Sequence, residues 1–327
     1  MKKVIRCLCM IALVALTVTS CKKNETKTTF TARTQKLVYE GETNRAFIGD
    51  DEYVHFETGD VCMVYNINNT NPSRSHCATY EALETGSVVT FQNCGLGEIA
   101  GEKMDAFYAY YPGGYGKMWT ELGQGENKTK FTIDPEQDYR KDATSGQLLT
   151  PLHDFPMFAK VDNVAQLGDA DFDFMNIFGV LQLQLFDPNG PTVVKKIEIT
   201  DNTFALTGQV EVNIPAFGNN YDEFISAVDN YNSNPNQWNA WKNSVGLNMT
   251  NQGNTITLNL PEEGVQIGTT QATSTSFEIV LRPLALSQGC SIKLTFADGS
   301  YKTIDLVHNY MIKPNFVRPL GFNLANY

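Results

Sequence analysis

The chain has 327 residues, with 36 acidic and 25 basic side chains and a net charge of −11 at neutral pH. Apolar residues make up 42% and charged residues 19%, a globular rather than disordered composition of a length that suits two domains. The acidic balance excludes a counterion-releasing grip on nucleic acid, and four mutually distant histidines (His55, His76, His153, His308) exclude most His-based metal motifs.

The N-terminus reads as an export signal over residues 1–20. Met1-Lys-Lys-Val4 is a short positive start, and Val4 to Val18 is nearly all apolar, interrupted by Arg6. This run is too short to span a bilayer and suits a signal h-region. Val18-Thr19-Ser20-Cys21 resembles the lipobox of bacterial lipoproteins, in which the cysteine sulfur takes diacylglycerol and the signal is cut just before it. Several acyl chains, at about 0.8 kcal/mol per buried methylene, would anchor Cys21 durably. The plainer alternative is a secretory signal with a chance cysteine. Residues 1–20 carry three cations and no acid, so their removal takes the net charge to −14. Residues 21–35 read as a polar tether with one possible strand at Thr28–Thr31.

Strand signals then recur along the chain. They fall at Lys36–Tyr39, Glu52–Phe56, Asp60–Ile67, Cys77–Tyr80, Val88–Phe91 and Met104–Tyr111. Further on they fall at Lys130–Ile133, Pro156–Val161, Asp171–Phe174, Phe178–Phe186, Val193–Thr200 and Gly208–Asn213. The last group is Thr255–Leu260, Ser276–Leu281, Ser291–Phe296, Tyr301–Leu306 and Val317–Leu324. Asp187-Pro-Asn-Gly190 and Asp298-Gly299 are turn signals. Many short strands separated by turn residues predict an all-β sandwich or barrel. Tyr221, Phe224, Ile225 and Val228 share one helical stripe, so residues 216–254 read as a short helical insertion.

Cys77 and Cys94 flank a predicted hairpin turning at Thr85-Gly86, whose register would set them opposite each other. Two readings stand there: a cross-strand disulfide, or two unpaired thiols.

Chemistry is sparse. Phosphate loops, HExxH and GxSxG are absent, no cofactor or metal site is legible, and the chain reads as non-enzymatic. Asp169-Ala-Asp-Phe-Asp173 lacks the later ligands of a calcium loop and reads as a strand with one wet face. Tyr108-Ala-Tyr-Tyr111, leading into Pro112 and Tyr115, reads as a core strand before a sugar platform.

The order of several weak motifs resembles the fimbrillin-like proteins of Bacteroidota, the lipoprotein precursors and accessory subunits of type V pili. These are the lipobox at Cys21, Val54-His-Phe-Glu-Thr-Gly-Asp-Val61, Phe107-Tyr-Ala-Tyr-Tyr-Pro112 and Asp154-Phe-Pro-Met-Phe158. Phe172–Leu185 followed by Val194–Thr200, and late Leu281-Arg-Pro283, continue the order. The usual Gly-Lys-x-Tyr near the C-terminus is replaced by Met311-Ile-Lys-Pro-Asn-Phe316.

The resemblance implies two transthyretin-like β-sandwich domains in tandem, at 36–160 and 161–327, with the insertion in the second. It implies a surface-exposed outer-membrane lipoprotein, a stalk, tip or anchor subunit whose partners are other pilin subunits and the membrane itself. A strand within residues 27–45 would fill a groove of its own subunit until a trypsin-like protease cuts the following loop, with Arg33 and Arg45 as candidate sites. A donor strand from another subunit, such as one like Val317–Leu324, would then replace it. The alternative is a monomeric surface lipoprotein that binds a host or bacterial glycan through Trp119, Trp238 and Trp241.

Overall fold

The computed structural model describes residues 28–39, 53–66, 77–94, 106–111, 118–119, 128–141, 148–149, 156–162, 164, 166–213, 223, 226, 240 and 248–327. It is all-β, and nearly every strand expected from the sequence is present within one or two residues at each end. The period-two pattern explains the success. In Asp171–Asn176 the aspartates Asp171 and Asp173 are exposed while Phe172 and Phe174 are buried, as a strand with one wet face requires.

Seven strands close into a barrel. Their order around it is Thr29–Thr34, Asp171–Asn176, Met157–Asp162, Ala106–Tyr111, Val61–Asn66, Cys77–Ala82 and Val88–Asn93, and the last pairs with the first. The interior is aromatic. Phe30, Phe56, Tyr80, Phe91, Phe107, Tyr111, Phe172 and Phe174 are all buried there. The tyrosine string Tyr108–Tyr111 is therefore core.

The remaining strands form further sheets. One runs Val38–Tyr39, Phe316–Asn323, Gly179–Phe186, Thr275–Leu281. A second runs Tyr301–Asp305, Ser291–Phe296, Thr192–Thr200, Thr255–Asn259, Glu136–Asp138, with Val265–Ile267 also paired to Thr192–Thr200. A third contains Asn248–Gly253, Thr207–Asn213, Lys128–Ile133 and Met118–Trp119. Two short pairs, Arg140–Lys141 with Leu148–Leu149 and Leu284–Leu286 with Tyr310–Ile312, complete the set. Gly179–Phe186 is buried on both faces for most of its length, which accounts for its almost unbroken apolar sequence.

Two expectations change here. The first half forms a closed barrel because Thr29–Thr34 fills the seam between two strands that would otherwise be edges. Sheet membership also does not divide at residue 160. The chain leaves the barrel after Tyr111, and Lys128–Ile133 and Glu136–Asp138 pair with Thr207–Asn213 and Thr255–Asn259. It re-enters at Met157, adds Asp171–Asn176, and only then passes to Gly179. Local pattern marks strands well, but it cannot say which sheet a strand joins.

The helical insertion falls mostly outside the described residues. Glu223, Ser226 and Ala240 within it are helical. Its expected end is strand instead, since Asn248–Gly253 pairs with Thr207–Asn213. The described helical elements of full length are three-residue 3-10 turns.

Candidate functional site

The seam of the barrel is the candidate site. Thr29–Thr34 alternates strictly, with Phe30, Ala32 and Thr34 turned inward and Thr31 and Arg33 outward. Phe30 carries most of the packing. Its ring lies 4.9 Å from Phe172, 5.0 Å from Tyr80 and 5.5 Å from Phe91, measured between centroids. Edge-to-face and offset contacts of this kind add to the area buried.

Both edges of the strand are paired. On one side it is antiparallel to Val88–Asn93, with Thr31 opposite Thr90. On the other it is parallel to Asp171–Asn176, with Thr31 opposite Asp171. Hydrogen bonds continue past its ends, from Asn93 N–H to the Thr28 carbonyl (3.1 Å) and from Gln35 N–H to the Phe174 carbonyl (2.8 Å). Thr34 Oγ1 donates to the Val54 carbonyl at 2.7 Å. Taking this strand away would leave two unpaired strand edges facing an aromatic slot.

The same segment then enters the next sheet. Leu37 is buried, and Val38–Tyr39 pairs in parallel with Phe316 and Val317. Between the two strands the Lys36 carbonyl accepts from Asn315 Nδ2 at 2.9 Å, and Asn315 Oδ1 accepts from buried Asn176 Nδ2 at 2.6 Å. Asn315 has a left-handed backbone (φ 59), which asparagine tolerates better than most residues. Twelve residues, 28–39, are thus built into both the barrel and the adjoining sheet.

Arg33 is not in the loop after the strand. It sits inside the strand, opposite Val88 and Asp173, and its half-exposed guanidinium pairs with Asp171. Seven successive extended residues, 28–34, would have to leave the sheet for a protease to engage it. Cys21 and Arg45 lie outside the described residues.

The hairpin register also differs from the expected one. Tyr80 pairs with Asn93 and Ala82 with Phe91, so the strands are offset by two residues from the expected alignment. The turn is wider than Thr85-Gly86 because Gly86 is engaged by Phe56 in a bridge on its other side. Cys94 consequently bonds through its N–H to the Thr79 carbonyl and is a free thiol rather than the facing partner of Cys77. Burial, and then the nearby Cys94, push the Cys62 thiol well up. The Cys290 thiol is pushed up to about 12 by burial, with Asp201 and Asp305 adding to it.

The strand named as a possible donor, Phe316–Asn323, is fully integrated. It is parallel both to Val38–Tyr39 and to Gly179–Phe186, with Val317 and Leu324 buried. Among the described residues Val38–Tyr39 covers only Phe316 and Val317 on that edge, and Pro319 follows, where a missing N–H does least harm. Trp119 lies in a two-residue strand paired with Lys130. Trp238 and Trp241 lie outside the described residues.

A second polar cluster gave no signal in the sequence. Glu278 is completely buried. It accepts from Tyr139 Oη (2.6 Å) and from Gln182 Nε2 (3.0 Å), while its own N–H donates to Tyr139 Oη (2.7 Å). Burial raises its carboxyl to about 7, against the opposing pull of the Tyr139 and Gln182 hydrogen bonds. Gln137 Nε2 donates to the Val280 carbonyl (2.8 Å), and its Oε1 accepts from Val280 N–H (3.0 Å). Gln137 and Tyr139 together therefore satisfy the outer edge of Thr275–Leu281 with side chains, closing it to a further strand. Only a residue alternation of buried Phe277 and Ile279 was visible beforehand, and it does not distinguish a glutamate in a solvated row from one in a sealed one. Among the described residues no group of three or more His, Cys, Asp or Glu side chains is placed to hold a metal ion.

No protein-family model and no curated protein matches the chain. Its fold does match solved structures. A "putative cell adhesion protein" from Bacteroides ovatus superposes with a TM-score of 0.51 at 14% identity, covering 90% of this chain and 92% of that one. A "putative cell adhesion protein" from Bacteroides uniformis gives 0.46 at 14% identity, over 93% and 95% of the two chains. A "fimbrial assembly protein" from Parabacteroides distasonis gives 0.36 at 7% identity, over 90% of each. The chain thus shares its fold with the Bacteroides ovatus protein over nearly its whole length.

Proposed function

We propose that this chain is a structural or adhesive subunit of a cell-surface pilus, exported as a lipoprotein anchored through Cys21 and assembled by strand exchange. The observation that carries the reading is the position of Thr29–Thr34, which closes a barrel from the chain's N-terminal side between one parallel and one antiparallel neighbour. A strand inserted this way occupies the place a donor strand from another subunit would take. The fold shared with the cell adhesion protein from Bacteroides ovatus supports the same class.

In this reading the outer membrane holds the precursor and the N-terminal segment keeps the seam closed. A cut in the chain after Tyr39 severs residues 28–39 from the rest of the folded chain, leaving them held to it by their sheet pairings, the Phe30 packing and the Thr34 and Lys36 hydrogen bonds. Arg45 is the candidate, and Arg33 is withdrawn because its strand shields it. Partner strands then compete for a slot whose inward pockets take the places of Phe30, Ala32 and Thr34. Limited trypsin digestion of the mature protein, read by intact mass and native gel, tests this. The expected result is cutting at Arg45, none at Arg33, and oligomers appearing afterwards. Resistance throughout 22–50, or cutting with no association, would contradict assembly by strand exchange.

A further inference from the structure

A cleft of about 270 Å³ opens where Gly179–Phe186 and Phe316–Asn323 end, far in sequence from the barrel seam. Its wall is made by Gln184, Gln271, Ser274, Phe322, Asn326 and Tyr327, with Gly321 at its edge. Two properties distinguish it. None of the described lining side chains is charged. Some of its polar groups are open to a ligand: among the described residues the side chains of exposed Gln271 and Asn326 and of Ser274 make no hydrogen bond, while Gln184 Nε2 donates to Gln182 and Asn323 Oδ1 accepts from Ala325 N–H.

Beside these amides stand two rings. Phe322 and Tyr327 pack edge to face, 6.2 Å apart at 74°, and Tyr327 is half exposed. An exposed aromatic surface next to planar amides, without a charge, matches the needs of one class of ligand. A pyranose offers an apolar C–H face for a ring and adjacent hydroxyls that each need a donor and an acceptor. Carboxamides supply both from one group. A phosphate or a carboxylate would lack the cationic partner it needs on burial.

We infer that this cleft is a binding site for a neutral saccharide, contacted by the Phe322–Tyr327 pair and hydrogen-bonded by Gln271, Ser274 and Asn326. The site is independent of the seam and needs no strand exchange. Trp119 is not among its described lining residues. A shallow, open cleft of this size takes one or two sugar rings and binds them weakly as monovalent ligands, with affinity gained by many copies on one surface.

Gly321 provides a clean block. A Cβ there meets nothing within 4 Å, and its backbone is not left-handed, so Gly321→Leu adds a side chain to the lining without a clash at its Cβ. Saturation-transfer NMR on the intact mature protein would use the methyl glycosides of glucose, galactose, mannose and N-acetylglucosamine, with N-acetylneuraminic acid as the charged control. The expected result is transfer to at least one neutral sugar, lost in Gly321→Leu and reduced at least several-fold in Tyr327→Ala, with thermal midpoints unchanged. Absence of transfer to every neutral sugar overturns the inference. So does transfer that survives both substitutions, or transfer to the charged sugar alone.

Discussion

At the scale of single residues, the seam strand depends on its inward side chains far more than on its charge. Phe30 is buried among Tyr80, Phe91 and Phe172, so Phe30→Ala is expected to cost about 3–5 kcal/mol in urea unfolding. Arg33 and Asp171 are each about half exposed (49% and 50%), and Arg33→Ala is expected to cost under about 1 kcal/mol. Glu278 makes a second residue-scale prediction. Its buried carboxyl titrates at about 7, against an ordinary 4.5. The folded state therefore holds a proton that the unfolded state has released between those values. Stability should be greatest below pH 4.5 on this account and fall by up to about 3 kcal/mol as pH rises to 7. Glu278→Gln should flatten that window, and denaturation midpoints at several pH values would check it. An unchanged slope in the variant would show that other groups set the pH response.

At the scale of elements, the crossing from barrel to sheet is closely packed. A Cβ on Gly179 would lie 2.3 Å from the Lys313 carbonyl oxygen and 2.7 Å from the Ile312 side chain. Gly179→Ala must therefore push the Ile312–Asn315 segment away, at a cost of about 1–3 kcal/mol by thermal or urea unfolding. The neighbouring Gly321→Leu, with nothing to strike, should leave stability unchanged. The sequence made individual strands legible because alternation is a local property, as in Asp171–Asn176 and Ser291–Phe296. It missed Asn248–Gly253 and Glu136–Asp138, which are polar and are strands only because a partner lies alongside. It also misaligned the Cys77–Cys94 hairpin by two residues, an error that preserves which face each residue occupies and so leaves no trace in the hydrophobic pattern. The seam strand itself was visible only as a short β-branched and aromatic run. A groove-filling strand within residues 27–45 was expected from the family resemblance rather than from pattern, and the two neighbours that Thr29–Thr34 joins, one of them more than 130 residues away, could not be read from the sequence. The saccharide cleft was not legible at all, because Gln184, Gln271 and Asn326 come together only through the end of the sheet.

At the scale of the whole molecule, residues 28–39 act as a single strap. They close the barrel, hydrogen-bond Asn315 through Lys36, and begin the sheet that contains Phe316–Asn323. Releasing the strap opens the barrel seam and also bares the Phe316–Val317 edge, so two surfaces become available together. Deleting residues 21–39 from the mature chain is expected to yield protein that self-associates or precipitates, as size-exclusion chromatography would show, and a monodisperse monomer would argue against an exposed seam. Adding a synthetic peptide of residues 28–39 should restore the monomer by filling both places.

The most direct test of strand exchange is to lock the strand. Thr31 and Thr90 lie opposite each other on the outward face of the antiparallel pair. In Thr31→Cys/Thr90→Cys an oxidised cross-link ties the strap to its neighbour after the chain has been cut at Arg45. The account predicts that the cut, oxidised protein stays monomeric on a native gel and that reduction releases the same ladder of oligomers as the cut wild type. Equal oligomer ladders before and after reduction would mean that assembly proceeds with the seam closed, and the strand-exchange account would be wrong.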